Sequence, residues 1–313
     1  MYEEKMVDLQ GISQVIGLEG IDEGPLMIML HGGPWGPIIY GHAFRNYYPT
    51  LYNNCGLVWW DQYGCGRNCA GNVDESITVK DFAEMTVELV DEIHRMFPNR
   101  AIVLNGNSFG SYLAVYAAEK RPQIVKGVIM LGPITDMTKS AANFENAAKS
   151  HYTEKEKKKV DAIRDSSSFE YFSLVAEKLA EKYTNCAHYK GKEAHDSLTN
   201  KWIIRWLTSK DWKFSNLIGT MKAASTAGKK YSALWNSLLK INITELLYNL
   251  KMPVLVLQGT EELYVLPEQM EKIASEIPDM TYIKYPYCGH IPTAESFPKM
   301  LEEMVKFVKK ITK

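Results

Sequence analysis

No apolar run in this sequence comes near the roughly 18 residues a helix needs to cross a bilayer, so no membrane partner is expected. Charge of one sign is missing too. The 36 Lys and Arg stand against 37 Asp and Glu, a net charge of −1, which gives no electrostatic footprint for nucleic acid. Cysteine is scarce: Cys55, Cys65, Cys69, Cys186 and Cys288 are odd in number and scattered. That pattern fits reduced thiols in a cytoplasm better than a disulfide framework. Cys65 and Cys69 stand close together, but no His or Cys pair of zinc-ligand spacing accompanies them. No metal and no cofactor are therefore expected. The opening Met1-Tyr2-Glu3-Glu4-Lys5 begins with acid and lacks the apolar core of a signal peptide, so a cytoplasmic location is expected. Internal repeats and low-complexity linkers are absent as well. What is there is a chain of 313 residues, 46% hydrophobic and 23% charged, enough to bury a full core.

Apolar runs bounded by turn residues recur along the first part of the chain. Val7 to Leu18 reads as a short hairpin at a sheet edge. Pro25–Leu30 and Gly56–Asp61 are continuous apolar runs, the pattern of strands buried on both faces of a parallel sheet. Residues 41–53 and 78–97 read as helices, the second opened by Thr78 with Asp81 in its first turn. Strands follow at 101–105 and 127–131, with a helix between them. After Pro133 the strand signal stops and residues 136–247 read as a series of helices, one highly charged (Glu154 to Arg164). Sheet logic returns with Pro253–Gln258, a helix near 267–277, the strand Met280–Tyr285 and a final amphipathic helix from about 294. Strands alternating with helices predict a mostly parallel central sheet flanked by helices, an α/β fold. The expected division is a sheet-bearing core over 1–134, a helical cap insertion over 135–248, and the rest of the core over 249–313.

The centre of this pattern is Gly106-Asn107-Ser108-Phe109-Gly110, a G-x-S-x-G motif between a strand and a helix. That context suits a nucleophile elbow, which lifts a serine hydroxyl to the top of a sheet. Strand ends gather at one edge of a parallel sheet, and three other exits carry useful chemistry. His290 follows the last strand. A serine hydroxyl needs such an imidazole to take its proton, and the imidazole needs a carboxylate to orient it. Glu262 after the preceding strand is the first choice for that acid, with Glu261 and Asp136 as alternatives. The chain order Ser, acid, His is the one used by α/β-hydrolases. The exit His31-Gly32-Gly33-Pro34-Trp35 is the expected oxyanion loop. Phe109 supplies one N–H, and because Pro34 has none the other falls to Gly33, failing that Trp35. His31 itself reads as structural, and Cys288 as an inert thiol.

Together, His31-Gly32-Gly33-Pro34, Asp61-Gln62-Tyr63-Gly64-Cys65-Gly66-Arg67, the motif around Ser108 and Gly289-His290 resemble the prolyl aminopeptidase (proline iminopeptidase) branch of the α/β-hydrolase superfamily. The resemblance covers the sheet-forming two thirds of the chain. It implies a cleft between core and cap, no metal, and cleavage of an acyl bond in a small-molecule or short-peptide substrate. The family's nucleophile, acid and base fall on Ser108, Glu262 and His290. Four positions depart: Trp35 stands for glycine, Tyr63 for arginine, Asn68 for serine and Glu262 for aspartate. A cap glutamate that would hold the substrate's ammonium is replaced by Leu207, next to Trp206, leaving Asp196 or Asp211 as substitutes. Trp35 and Trp206 are the candidate substrate contacts. The expected activity is a serine hydrolase acting on an amide or peptide. The alternatives are a carboxylesterase, lactonase or N-acyl amide hydrolase, a non-catalytic ligand-binding protein on the same fold, and a cofactor-free lyase.

Overall fold

The structure, a computed structural model, describes residues 2–20, 22–34, 49–69, 73–191, 218 and 231–312. Its eight strands form one sheet: β1 (Tyr2–Leu9), β2 (Ile12–Glu19), β3 (Leu26–Leu30), β4 (Gly56–Trp60), β5 (Ile102–Asn107), β6 (Val125–Leu131), β7 (Val254–Gly259) and β8 (Met280–Tyr285). The order across the sheet is β1-β2-β4-β3-β5-β6-β7-β8. The pairs β1/β2 and β2/β4 are antiparallel and all others parallel. The opening hairpin is longer than Val7 to Leu18. Gln10 and Gly11 both take positive φ, 56° and 70°, as a two-residue loop matching strand twist requires. Pairing therefore continues outward to Tyr2 and Glu19.

Every residue of β3 and β4 is buried, as their uninterrupted apolar runs require. Successive side chains go to opposite faces. Leu26, Ile28 and Leu30 join one core cluster, while Met27 and Met29 join the other. Helices cover both faces. On one lie α1 (Val79–Met96) and α2 (Phe109–Lys120), contributing Phe82 and Phe109; on the other lies α9 (Ser296–Ile311), contributing Phe297 and Met304. The start of α1 is set by Asp81, whose Oδ2 accepts from the Thr78 N–H and hydroxyl, both at 2.7 Å. β5 runs two residues past the expected 101–105, because Gly106 and Asn107 still pair with Met130 and Leu131. Of the helix expected over 41–53, Pro49–Tyr52 is helical and 41–48 lie outside the described residues.

Between β6 and β7 every regular element among the described residues is helical. These are α3 (Met137–Ala148), α4 (Glu154–Asp161), a continuous α5 (Phe169–Phe172, π-helical Ser173–Ala180, Glu181–Tyr183), α6 (Ser232–Leu238) and α7 (Thr244–Asn249). α4 ends three residues before the expected Arg164. α8 (Pro267–Glu276) bridges β7 and β8. Among the described residues no helix is long and apolar enough to cross a membrane.

Candidate active site

After β3 the chain pairs β4 on one side, then returns to place β5 on the other. The carboxyl ends of β3 and β5 thus flank a topological switch point, where open α/β sheets form their ligand crevice. Gly32, Gly33 and Ser108 emerge there. β5 ends at Asn107 and α2 begins at Phe109, so the turn falls on Ser108 alone. Its backbone sits at φ 53°, ψ −119°, a conformation that costs a non-glycine residue about 1–3 kcal/mol and persists only where the surroundings enforce it. They do. The Ser108 N–H donates to the Leu131 carbonyl at 3.0 Å, and the Ser108 carbonyl accepts from the Ser111 N–H at 2.9 Å and hydroxyl at 2.5 Å. A Cβ on Gly106 would strike the Gly110 carbonyl, and one on Gly110 the Leu30 carbonyl. Both glycines of the motif are required by approach rather than by flexibility.

His290 meets its carboxylate: Nδ1 lies 2.6 Å from Glu262 Oε2. The other oxygen, Oε1, accepts from the Leu263 and Tyr264 N–H groups, both at 2.9 Å. With both oxygens accepting, Nδ1 is the donor in this pair. Glu262 is fully enclosed. The alternative acids go elsewhere. Glu261 Oε1 accepts from the Thr260 hydroxyl at 3.4 Å. Asp136 caps α3 through the Thr138 and Lys139 N–H groups and receives Asn242 at 3.1 Å. Gly132, at φ 53°, leaves space for the pair, since a Cβ there would lie 3.2 Å from His290 Nδ1.

The loop after β3 runs against Ser108. A Cβ on Gly32 would come within 2.9 Å of the Ser108 Cβ. His31 lies behind it. The Gln62 N–H donates to Nε2 at 2.9 Å, which leaves Nδ1–H to donate to the Gly32 carbonyl at 2.7 Å. Burial lowers the His31 pKa to about 4, so the ring is neutral and ties the exits of β3 and β4 together. Phe109 is buried and its N–H lies in the first turn of α2, where amides have no acceptor inside the helix. Gly33 takes φ 117° and lines the same cavity as Ser108. The exit of β4 folds around Asp61, which receives the Arg67 N–H at 2.9 Å. Asn68 pairs with both backbone groups of Val15, at 2.7 and 3.0 Å. Cys288 is buried, and burial raises its thiol pKa.

Ser108, Gly33 and His290 share a cavity of about 360 Å³. Its lining also includes the apolar side chains of Phe172, Trp235 and Leu238 and, as the one acid among the described lining residues, Glu177. Tyr264 also lines it, its ring centre 4.4 Å from that of His290. These residues were not anticipated. Tyr264 could have been found, as it stands two residues past Glu262; Glu177 sits in no motif. Trp35 and Trp206 lie outside the described residues, as do Trp202, Trp212, Asp196, Asp211 and Leu207.

A family model described as alpha/beta hydrolase fold matches residues 25–296. A "Proline iminopeptidase" from Saccharolobus solfataricus is 23% identical over 294 residues, 91% of this chain and 85% of that one. A "Probable aminopeptidase YbaC" from Bacillus subtilis is 30% identical over 122 residues, a match spanning 38% of each protein's length. The crystal structure of a proline iminopeptidase from Mycobacterium smegmatis superposes with a TM-score of 0.68 over 99% of both chains. At 14% identity that likeness is one of fold.

Proposed function

Because this chain belongs to the α/β-hydrolase fold family and is a hydrolase, we propose that it cleaves a small amide, foremost the first residue of a short peptide, through an acyl-enzyme on Ser108. His290 Nε2 takes the Ser108 proton as the hydroxyl attacks the carbonyl, then returns it to the leaving amine. Glu262 holds the imidazole in its working tautomer and stabilises the imidazolium. The Gly33 and Phe109 N–H groups receive the oxyanion, each worth about 10²–10³ in rate. Water, activated by the same histidine, releases the acyl group. The described helices between β6 and β7 are assigned as a cap over this site, within an insertion spanning 135–248, with 1–134 and 249–313 as the core.

The observation that carries the reading is the 2.6 Å hydrogen bond between His290 and the enclosed Glu262, on the cavity where Ser108 stands at an elbow. Glu177 supports an amine-bearing substrate, since it offers a carboxylate to an ammonium in an otherwise apolar wall. It takes the part that Leu207 cannot. The same apolar wall favours a second reading, a carboxylesterase or N-acyl amide hydrolase needing no ammonium partner. Prolyl-β-naphthylamide and short p-nitrophenyl esters separate the two. Turnover of the amide, lost in Ser108→Ala, is the expected result; ester turnover alone would remove the peptidase assignment. Failure of a fluorophosphonate to label Ser108 in folded protein would leave a non-catalytic binding protein.

A further inference from the structure

Beyond the catalytic cavity lies a second one of about 500 Å³, within the range of about 300–1,000 Å³ typical of ligand sites. Met137 and Phe172 line both, so the two chambers meet across those side chains. The outer chamber has three walls. α3 gives it Thr138, Ala141, Ala142 and Glu145, a spacing that shares one helical face, and the two alanines keep that face thin. The loop 165–168 with Tyr171 makes the second wall, and Asn236 with Lys240 the third.

The polar groups there divide into those already engaged and those free. Glu145 Oε2 accepts from the Tyr171 hydroxyl at 2.7 Å, and Asp165 Oδ1 accepts from the Ser167 N–H and hydroxyl at 2.9 and 2.6 Å. Both acids are thus already engaged, Glu145 across to the second wall and Asp165 within its own loop. The Lys240 ammonium and the Asn236 side-chain amide have no hydrogen-bond or ion-pair partner among the described residues.

We propose that the outer chamber binds the main chain of the peptide segment that leaves from Ser108, with Lys240 pairing its terminal carboxylate. The assignment rests on the aminopeptidase reading above. With the substrate's ammonium at Glu177 and its first carbonyl at Ser108, everything past the scissile bond must find room outside the inner chamber. The inner walls are apolar, and a peptide's N–H and C=O groups lose free energy when taken from water without partners. Next door stand an unclaimed side-chain amide, the Ser166 and Thr138 hydroxyls, and a cation of the right sign for a free C-terminus. The substrate is therefore a free peptide of two or three residues, rather than a lone aminoacyl amide.

The test compares prolinamide and alaninamide with prolyl- and alanyl-diglycine, the tripeptides carrying either a free or an amidated C-terminus. Two variants are used, Ala142→Trp and Lys240→Glu; both positions are exposed, so folding is spared. Ala142→Trp fills the outer chamber. It is expected to raise KM for the tripeptides by about tenfold or more while leaving the simple amides within about twofold. Lys240→Glu is expected to raise KM for free tripeptides by about fivefold and to spare the amidated ones. Equal shifts on amides and tripeptides, no shift on either, or a wild type that cleaves the amides but not the tripeptides would each overturn the assignment. A wild type that hydrolyses only esters would instead remove the aminopeptidase reading, and the chamber's role with it.

Discussion

The sheet edge that bears Ser108, Glu262 and His290 holds its side chains very differently from the helical stretch facing it. At the sheet edge the backbone over-determines each position. Ser108 is locked at φ 53° by three hydrogen bonds through its own N–H and carbonyl, and Glu262 by two N–H groups of its own loop. Across the cavity, Glu177 is exposed and held by one contact, the Ser173 hydroxyl at 2.5 Å, on a π-helical turn. On the proposed mechanism the bond-making atoms are those the backbone fixes, and substrate selection falls to a side chain that can be exchanged without disturbing the fold.

Substitutions on the two sides should therefore differ in kind as well as size. Ser108→Ala is expected to reduce kcat by roughly 10⁴–10⁶ with unchanged thermal unfolding; a residual rate within tenfold of wild type would sink the nucleophile assignment. Glu262→Gln should cost about 10³–10⁴ in kcat by releasing the wrong histidine tautomer, whereas Glu261→Gln should change it by less than about threefold. Steady-state kinetics with the two side by side decides between them. Gly110→Ala drives a Cβ into the Leu30 carbonyl and is expected to cost more than about 3 kcal/mol of stability, read by calorimetry.

His31 gives the sheet edge a pH signature. Its pKa is about 4 in the fold against 6.5 unfolded, so unfolding takes up a proton between those values. Stability is full above about pH 6.5 and falls as pH drops toward 4, by up to about 3 kcal/mol from this group. Denaturant titrations across that window check it, and His31→Asn should flatten the slope. A smaller effect is expected across the cavity. Glu177→Gln should raise KM for aminoacyl substrates by about tenfold, near 1.4 kcal/mol, and leave p-nitrophenyl esters unchanged. Equal effects on both substrates would erase the contrast between the two sides.

Much of the sheet edge was legible before any coordinates. Continuous apolar runs marked β3 and β4, and G-x-S-x-G marked the elbow, because strand burial and tight turns are dictated by neighbours in the chain. Thr78 and Asp81 announced the start of α1 for the same reason. Errors came where long-range pairing lengthens an element, as with β5 beyond residue 105 and the hairpin out to Tyr2. Within the helical stretch the sequence points to Trp206 and to Asp196 or Asp211 for substrate contacts. Glu177 carries no such signal, because its approach to the cavity depends on how α5 packs against a sheet edge some seventy residues away in the chain.

The order of strands and helices, the elbow at Ser108 and the glycines that permit it were decided by the sequence itself, since each follows from contacts between near neighbours. Which carboxylate meets His290, that His31 is a neutral brace rather than a reacting group, and which acid faces the cavity were decided only by tertiary structure. Those outcomes depend on loops from distant strands arriving at one rim, and no local pattern carries that distance.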